Sequence, residues 1–309
     1  MMWGDGETQG QAPEFTAETV GTVLREACRG AGLDPSGAVM LRLGSNAVFR
    51  LDASPVIVRI ARDADALCEM GRAVRVARWL AAEGFPATRL LPGVPQPATV
   101  AGRAVTFWES AQDREEYASP SELAELLRRL HRLEEPGSLG LDCFDPFAKV
   151  WGSLGELRGL IEDDHLGFLE ERADRLHQRY DRLDWVLPFG MIHGDANIGN
   201  ALRDRKGRPL LIDLDGFALA QREWDLVLTA LYYERLGWHT RAEYESFVHH
   251  YGFDLMNWPG YPVLADAREL MMTLWLGQRV PTDPTSAEEF SRRVQTLRTN
   301  GSRRGWKPF

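Results

Sequence analysis

The chain has 309 residues, 44% hydrophobic and 26% charged, so it is long enough for two lobes with sizeable cores and has the make-up of an ordinary globular protein rather than a disordered or fibrous one. Its net charge of -9 argues against a phosphate-backbone binder, which needs a surplus of Lys and Arg, and suits a cationic partner better. Cys28, Cys68 and Cys143 are scattered without metal-type spacing, which predicts neither disulfides nor zinc and suggests a reducing compartment. The leader MMWGDGETQGQAPE has no basic flank or apolar run, and no later stretch is long enough to span a bilayer, so the expected location is the cytoplasm.

In chain order, the segment from Thr16 to Gly32 repeats apolar residues at Val20, Val23, Leu24 and Ala27, which predicts an amphipathic helix stopped by glycines. VMLRLGSNAVFRLD then places a Gly-Ser-Asn turn between two β-rich runs, and VIVRIA follows Pro55, so three short strands in succession predict an antiparallel sheet. Helical spacing returns from about 64 to 82, and AVTFWE at 104–109 reads as a further strand. From Ser121 onward, beginning with LAELLRRLHRL, the pattern is mostly helical. Strand-rich composition gives way to helix-rich composition near residue 110, which divides the chain into an N-terminal lobe at 1–109 and a helical C-terminal lobe at 110–309.

HGDANIGN at 193–200 is polar and Gly-containing, yet it lies between the apolar run WVLPFGMI and the pair Ala201-Leu202. Gly, Asn and Asp collect in turns for backbone reasons alone. Just beyond it, NALRDRKGRPLLID reads as a hairpin with RKGR as a four-residue loop. That register sets Ala201 opposite Ile212 and Asn200 opposite Asp213, with Cβ atoms roughly 4.5–5.5 Å apart. An amide oxygen and a carboxylate at that separation can share one magnesium ion, which prefers oxygen ligands. Asp195, in the loop feeding the hairpin, is a further carboxylate free to accept a proton.

HGDANIGN followed by LIDLD resembles the catalytic loop and metal-binding strand of the aminoglycoside phosphotransferase and choline kinase families, which share the protein-kinase-like fold. LRLGSNAVFRL is similar to the phosphate-covering strand-turn-strand of the small lobe, VIVRIA to the strand carrying the phosphate-binding cation, and VTFWE to the strand entering the hinge. LLRRLHRL resembles the first large-lobe helix and REWDL the segment after the metal loop, so the likeness runs from about 40 to 230. It implies an α+β, two-lobed protein-kinase-like fold, with a small antiparallel-sheet N-lobe and a larger helical C-lobe. It also implies an ATP- or GTP-dependent, magnesium-assisted phosphotransferase acting on a hydroxyl of a small molecule.

The resemblance assigns roles residue by residue. Asp195 accepts or orients the proton of the attacking hydroxyl, while Asn200 and Asp213 hold magnesium on the nucleotide phosphates. His193 braces the loop. Asp215, sharing a face with Asp213 if the strand stays extended, reads either as a second metal contact or as a loop brace. Asp225 ties the catalytic loop to its helix, or is simply a carboxylate at a helix start. Arg59 stands where most kinases of this fold carry lysine, and its planar fork can still grip phosphate. Glu69 is its nearest carboxylate partner on the following helix, since the position one turn later is Ala73. Ser45 and Asn46 offer backbone amides to phosphate or form a plain turn, and Trp108 and Glu109 stand where the base is received.

The acceptor is less legible. Acidic clusters at Glu162-Asp163-Asp164 and Glu170-Glu171 either line a cleft for a cationic substrate or form the solvated face of a helix. Tyr232, Tyr233, Trp238, Trp258 and Trp275 either stack on substrate or belong to the core. The basic tail SRRGWKPF either folds back on the acidic lobe or stays loose. An antibiotic acceptor leads, with a sugar or amino alcohol as the metabolic alternative, and a nucleotide-binding pseudokinase as the reading from another class. The sequence does not fix oligomeric state.

Overall fold

The computed structural model describes residues 15–44, 46–62, 66–111 and 116–308. Ser45, expected to offer a backbone amide to phosphate, lies outside them. Two compact units emerge, one of Met1–Glu83 with Thr88–Asp113 and one of Gly84–Ala87 with Arg114–Phe309.

The smaller unit opens with α1 (Ala17–Ala31), started by a reciprocal Thr16/Thr19 capping box and stopped by Gly32 at φ 68°, a left-handed conformation that glycine adopts without steric penalty. Its strands β1 (Val39–Leu43), β2 (Asn46–Arg50) and β3 (Val56–Ala61) follow in succession as expected. After α2 (Leu67–Ala82) come β4 (Ala98–Val100) and β5 (Arg103–Glu109). The sheet is antiparallel, in the order β1-β2-β3-β5-β4. Alternation places Val56, Val58 and Ile60 in a core with Val20, Leu24, Phe49 and Phe107 and leaves Ile57 and Arg59 on the opposite, half-buried face.

The larger unit begins its helices with α3 (Pro120–Leu130), started by a Ser119/Glu122 capping box, and continues with α4 (Pro146–Glu156) and α5 (Asp163–Tyr180). Four short strands follow: β6 (Phe189–Ile192), β7 (Ala201–Arg203), β8 (Pro209–Leu211) and β9 (Ala218–Gln221). They form two antiparallel pairs, β6 with β9 and β7 with β8. Helices α6 (Glu223–Leu231), α7 (Arg241–Tyr251), α8 (Tyr261–Gly277) and α9 (Pro284–Thr299) complete the unit. Most of α8 is buried, as expected of a helix apolar on nearly every side.

The hairpin departs from its expected register. Ala201 faces Leu211 and Arg203 faces Pro209, one position away from the predicted alignment. Asp204 closes the loop, its Oδ1 accepting from the Lys206 and Arg208 amides, and Gly207 takes φ 73°. The result is a three-residue loop with a left-handed glycine, a tighter solution than a symmetric four-residue turn. Asn200 therefore pairs with Ile212, whose amide donates to its carbonyl at 3.0 Å, rather than with Asp213. Nor does the strand stay extended: Leu214–Gly216 forms a 3₁₀ turn, so Asp213 and Asp215 do not share a strand face.

The basic tail folds back. Arg303 donates to both oxygens of the fully buried Glu269, and Trp306 is 2% exposed. Among the described residues no helix is long and apolar enough to cross a membrane, and all three cysteines are free.

Candidate active site

In the larger unit, β6 delivers the chain into the 193–200 loop, which is held by contacts from three directions. Gly194 takes φ 84°, and a Cβ there would meet the Gly216 carbonyl oxygen at 2.2 Å. A Cβ on Gly216 would in turn meet the His193 oxygen at 2.7 Å. The catalytic-loop candidate and the Leu214–Gly216 turn thus approach too closely for any side chain at either glycine.

Asp225, in the first turn of α6, is the anchor. It is fully buried, and its two oxygens accept from the His193 amide at 2.7 Å and the Gly194 amide at 2.8 Å. His131, carried just past α3, donates to the same carboxylate through Nε2 at 3.0 Å and meets the Tyr251 hydroxyl through Nδ1 at 2.8 Å. Burial pushes the Asp225 carboxyl up, but the hydrogen bond and charge of His131, with the ring and amide of His193, outweigh it and hold the group below the usual carboxylate range.

His193 is also fully buried. Its Nε2 bonds the Ile212 carbonyl at 2.9 Å, and because a carbonyl can only accept, Nε2 carries the proton and Nδ1 receives the Asp195 amide at 3.4 Å. One imidazole thus links the loop to the end of the hairpin.

Asp195 projects from this frame with its side chain half exposed. Asn200 donates Nδ2 to both the Asp195 backbone oxygen (2.8 Å) and Oδ2 (3.0 Å), and Asn197 repeats the pattern at 3.1 and 3.3 Å. Both amides therefore spend their N–H groups on Asp195. The side-chain oxygen of Asn197 is taken by the Gly199 amide at 2.8 Å. Arg268 of α8 approaches Oδ1 at 3.5 Å, donates to the Gly194 carbonyl at 2.9 Å and lies 4.2 Å over Trp224, whose Nε1 donates to that carbonyl at 3.0 Å. Asp213 begins the 3₁₀ turn at φ 57°, a left-handed conformation costly for a side-chain-bearing residue, and Asp215 is half-buried within the turn.

Donor chemistry at Asn200 and Asp213 fits magnesium, which takes one or two protein oxygens and completes its shell with phosphates and water. Among the described residues no group of three His, Cys, Asp or Glu forms an all-protein metal cage.

The smaller unit presents its own residues. Arg59 is half-buried on β3, opposite Val48 and Thr106, and Asn46 opens β2 opposite Ala61. Trp108 is buried on β5 with Nε1 bonded to Thr106 at 2.9 Å, and exposed Glu109 follows it, its amide donating to the Arg89 carbonyl at 2.8 Å. Glu69 is exposed in the first turn of α2 and makes no hydrogen bond or ion pair among the described residues.

Sequence reasoning missed Asn197, His131, Trp224 and Arg268. Asn197 lay within the polar stretch already singled out, and Arg268 carried a local signal of its own, since Asp266, Arg268 and Glu269 are charges inside the largely apolar YPVLADARELMMTLWLG. Three of the five clustered carboxylates at the start of α5 and along it are paired with arginine, Arg158–Glu170 at 2.5 Å, Arg298–Asp164 at 2.7 Å and Arg175–Glu171 at 3.5 Å.

Comparison with known proteins follows the same line. Residues 42–266 match the family model described as the phosphotransferase enzyme family. No curated protein matches the sequence significantly. Solved structures similar in fold include an amicoumacin kinase, hAmiN, in complex with AMP-PNP, Ca2+ and Ami (17% identity, TM-score 0.66, covering 94% of this chain and 98% of that one). A microcompartment-associated aminopropanol kinase shares 19% identity with a TM-score of 0.65 over 91% and 99% of the two chains. Choline kinase LicA from Streptococcus pneumoniae shares 16% at 0.59, again over 91% and 99%. At these identities the structures establish a protein-kinase-like fold, and the family match adds the class of chemistry: this chain belongs to the phosphotransferase enzyme family.

Proposed function

We propose that Asp195 is the proton acceptor of a magnesium-dependent transfer from ATP or GTP, with Asn200 and Asp213 as the protein's metal ligands. The observation that carries this reading is the state of Asp195: a half-exposed carboxylate whose position is fixed by two asparagine amides. In that role the acceptor hydroxyl loses its proton to Asp195 while its oxygen bonds the terminal phosphorus and the bond to the leaving nucleoside diphosphate breaks. Asn200 links the two halves of the site, its N–H groups on Asp195 and its side-chain oxygen available as a metal ligand. Magnesium held there supplies charge neutralisation of the phosphate oxygens. His193 and Asp225 keep the loop in register without touching substrate. Arg59, with the Asn46 amide, serves the nucleotide phosphates, Trp108 and Glu109 serve its base, and Glu69, on the helix that follows β3, is the carboxylate assigned to support Arg59. Asp215 braces the turn that carries Asp213.

For the acceptor, we favour an antibiotic or amino alcohol carrying few positive charges. The α5 surface supports this over a polycationic aminoglycoside, because Asp164, Glu170 and Glu171 already have arginine partners. The test is magnesium- and nucleotide-dependent phosphorylation of amicoumacin, spectinomycin, kanamycin, choline and 1-amino-2-propanol, read by mass spectrometry as a gain of one phosphoryl group. A gain that Asp195→Asn abolishes supports the assignment. Wild-type turnover by that variant defeats it, and nucleotide binding without transfer to any compound or to water favours the pseudokinase reading.

A further inference from the structure

Arg268 is 6% exposed on a helix whose neighbouring positions Leu264, Ala265, Ala267 and Leu270 are all buried. An arginine removed from water needs its donors satisfied, or its burial costs stability. Arg268 is a poor structural anchor by that measure. Its Nη2 bond goes to the Gly194 carbonyl, which already accepts from Trp224 Nε1. Its Nε is buried with no hydrogen-bond partner. Burial pushes its guanidinium below the ordinary arginine range, with Asp195 and Asp225 opposing the shift. What Arg268 alone supplies is a cation 3.5 Å from Asp195 Oδ1.

That placement completes a frame around one carboxylate. Oδ2 is held by Asn197 and Asn200 from within the loop, and Oδ1 faces a guanidinium that itself lies over the Trp224 ring. With both oxygens restrained, rotation of the carboxylate is limited and its exposed half stays presented to an incoming hydroxyl. We propose that Arg268 is a positioning residue for the transfer reaction, holding the Asp195 carboxylate in its reactive orientation from beneath the loop. This rests on the reading of Asp195 as proton acceptor.

The experiment compares Arg268→Met, Arg268→Lys, Arg268→Ala and Asp195→Asn with the wild-type chain. Initial rates are measured with magnesium ATP and the panel compound that becomes phosphorylated, or with water as acceptor where none does. Arg268→Met should lower kcat by about 100-fold, the effect of a small misplacement of a reacting group. The KM for ATP should stay within about threefold, since an interaction serving only the transfer step leaves ground-state binding alone. Thermal stability should be unchanged or higher. Arg268→Lys should recover part of kcat, and low millimolar guanidinium should recover part of the rate of Arg268→Ala but none of Asp195→Asn.

Wild-type kcat in Arg268→Met overturns the proposal. A kcat loss that follows a matching loss of thermal stability, with no recovery by lysine or guanidinium, also overturns it, because Arg268 would then be structural. The two readings separate at the control. Activity surviving in Asp195→Asn sinks the proton-acceptor assignment itself, whereas an inactive Asp195→Asn beside an unimpaired Arg268→Met sinks only the role of Arg268.

Discussion

Asp225→Asn isolates the clamp beneath the catalytic loop while keeping its shape. The native carboxylate accepts three hydrogen bonds, from the His193 and Gly194 amides and from His131. An asparagine oxygen can replace Oδ2 and keep the bonds to His193 and His131. Its NH2 group then points at the Gly194 N–H, donor against donor, in a site with no solvent exposure. Leaving one buried donor unsatisfied costs about 1–3 kcal/mol, and the charge that assisted all three bonds is lost as well. Together these approach the 3–5 kcal/mol typical of breaking a buried charged pair. For a unit of this size each kcal/mol moves Tm by about 2–4 °C, so the melting temperature should fall by roughly 6–20 °C. Calorimetry at neutral pH reads this directly. A fall of less than about 3 °C, equivalent to about 1 kcal/mol, would refute the argument that Asp225 holds the loop.

The same carboxylate sets a pH dependence. Its folded pKa is depressed, so its contribution to stability is present above the unfolded value of about 3.9 and is lost as pH falls through the folded value. Wild-type stability should therefore drop more steeply below about pH 4 than that of Asp225→Asn, as denaturant midpoints across an acid series would show. Asp195→Asn should lower kcat by about 10²–10⁴-fold with magnesium-nucleotide affinity little changed, measured by rates beside calorimetric binding. Asp213→Gly removes a carboxylate but suits the left-handed backbone at φ 57°. Its thermal stability should hold or rise by about 1 kcal/mol while magnesium-dependent nucleotide binding is lost, and retained binding would exclude Asp213 as a ligand. Trp306→Ala should cost about 3–5 kcal/mol, and a Tm near wild type would mean the tail is not docked.

Elements written in local periodicity were legible. The runs VMLRL, NAVFR and VIVRIA are short, rich in strand-forming apolar residues and bounded by turn residues, and their order matches β1 to β3. Short β4 was not read, because three residues of ATV carry too little pattern. LIDLD reads as a strand by composition, yet Asp213 turns left-handed and the next three residues form a 3₁₀ turn. Its strand-like composition gives way to the close meeting of Gly194 with Gly216. The register error has a similar origin: loop length depended on Asp204 capping its own turn. In the candidate site, HGDANIGN announced the polar loop but not its support. His131 reaches Asp225 across 94 residues and Arg268 reaches Asp195 across 73, and no local spacing encodes such pairings.

The segment Gly84–Ala87 has a consequence for how such chains recombine. Although the chain returns to the smaller unit at Thr88, these four residues belong to the larger one. Phe85 is fully buried, Arg129 donates to the Gly84 carbonyl at 2.8 Å, and the Pro86 carbonyl accepts from the Leu211 amide at 3.1 Å. A fragment beginning at 114 would therefore lack a core aromatic and leave Leu211 without its hydrogen-bond partner. A chimera that exchanges the N-terminal portion between family members at a single crossover near 110 inherits a mismatched Phe85 socket. Two further crossovers flanking 84–87 restore it, so the inherited module is discontinuous in sequence even though each unit is compact in space.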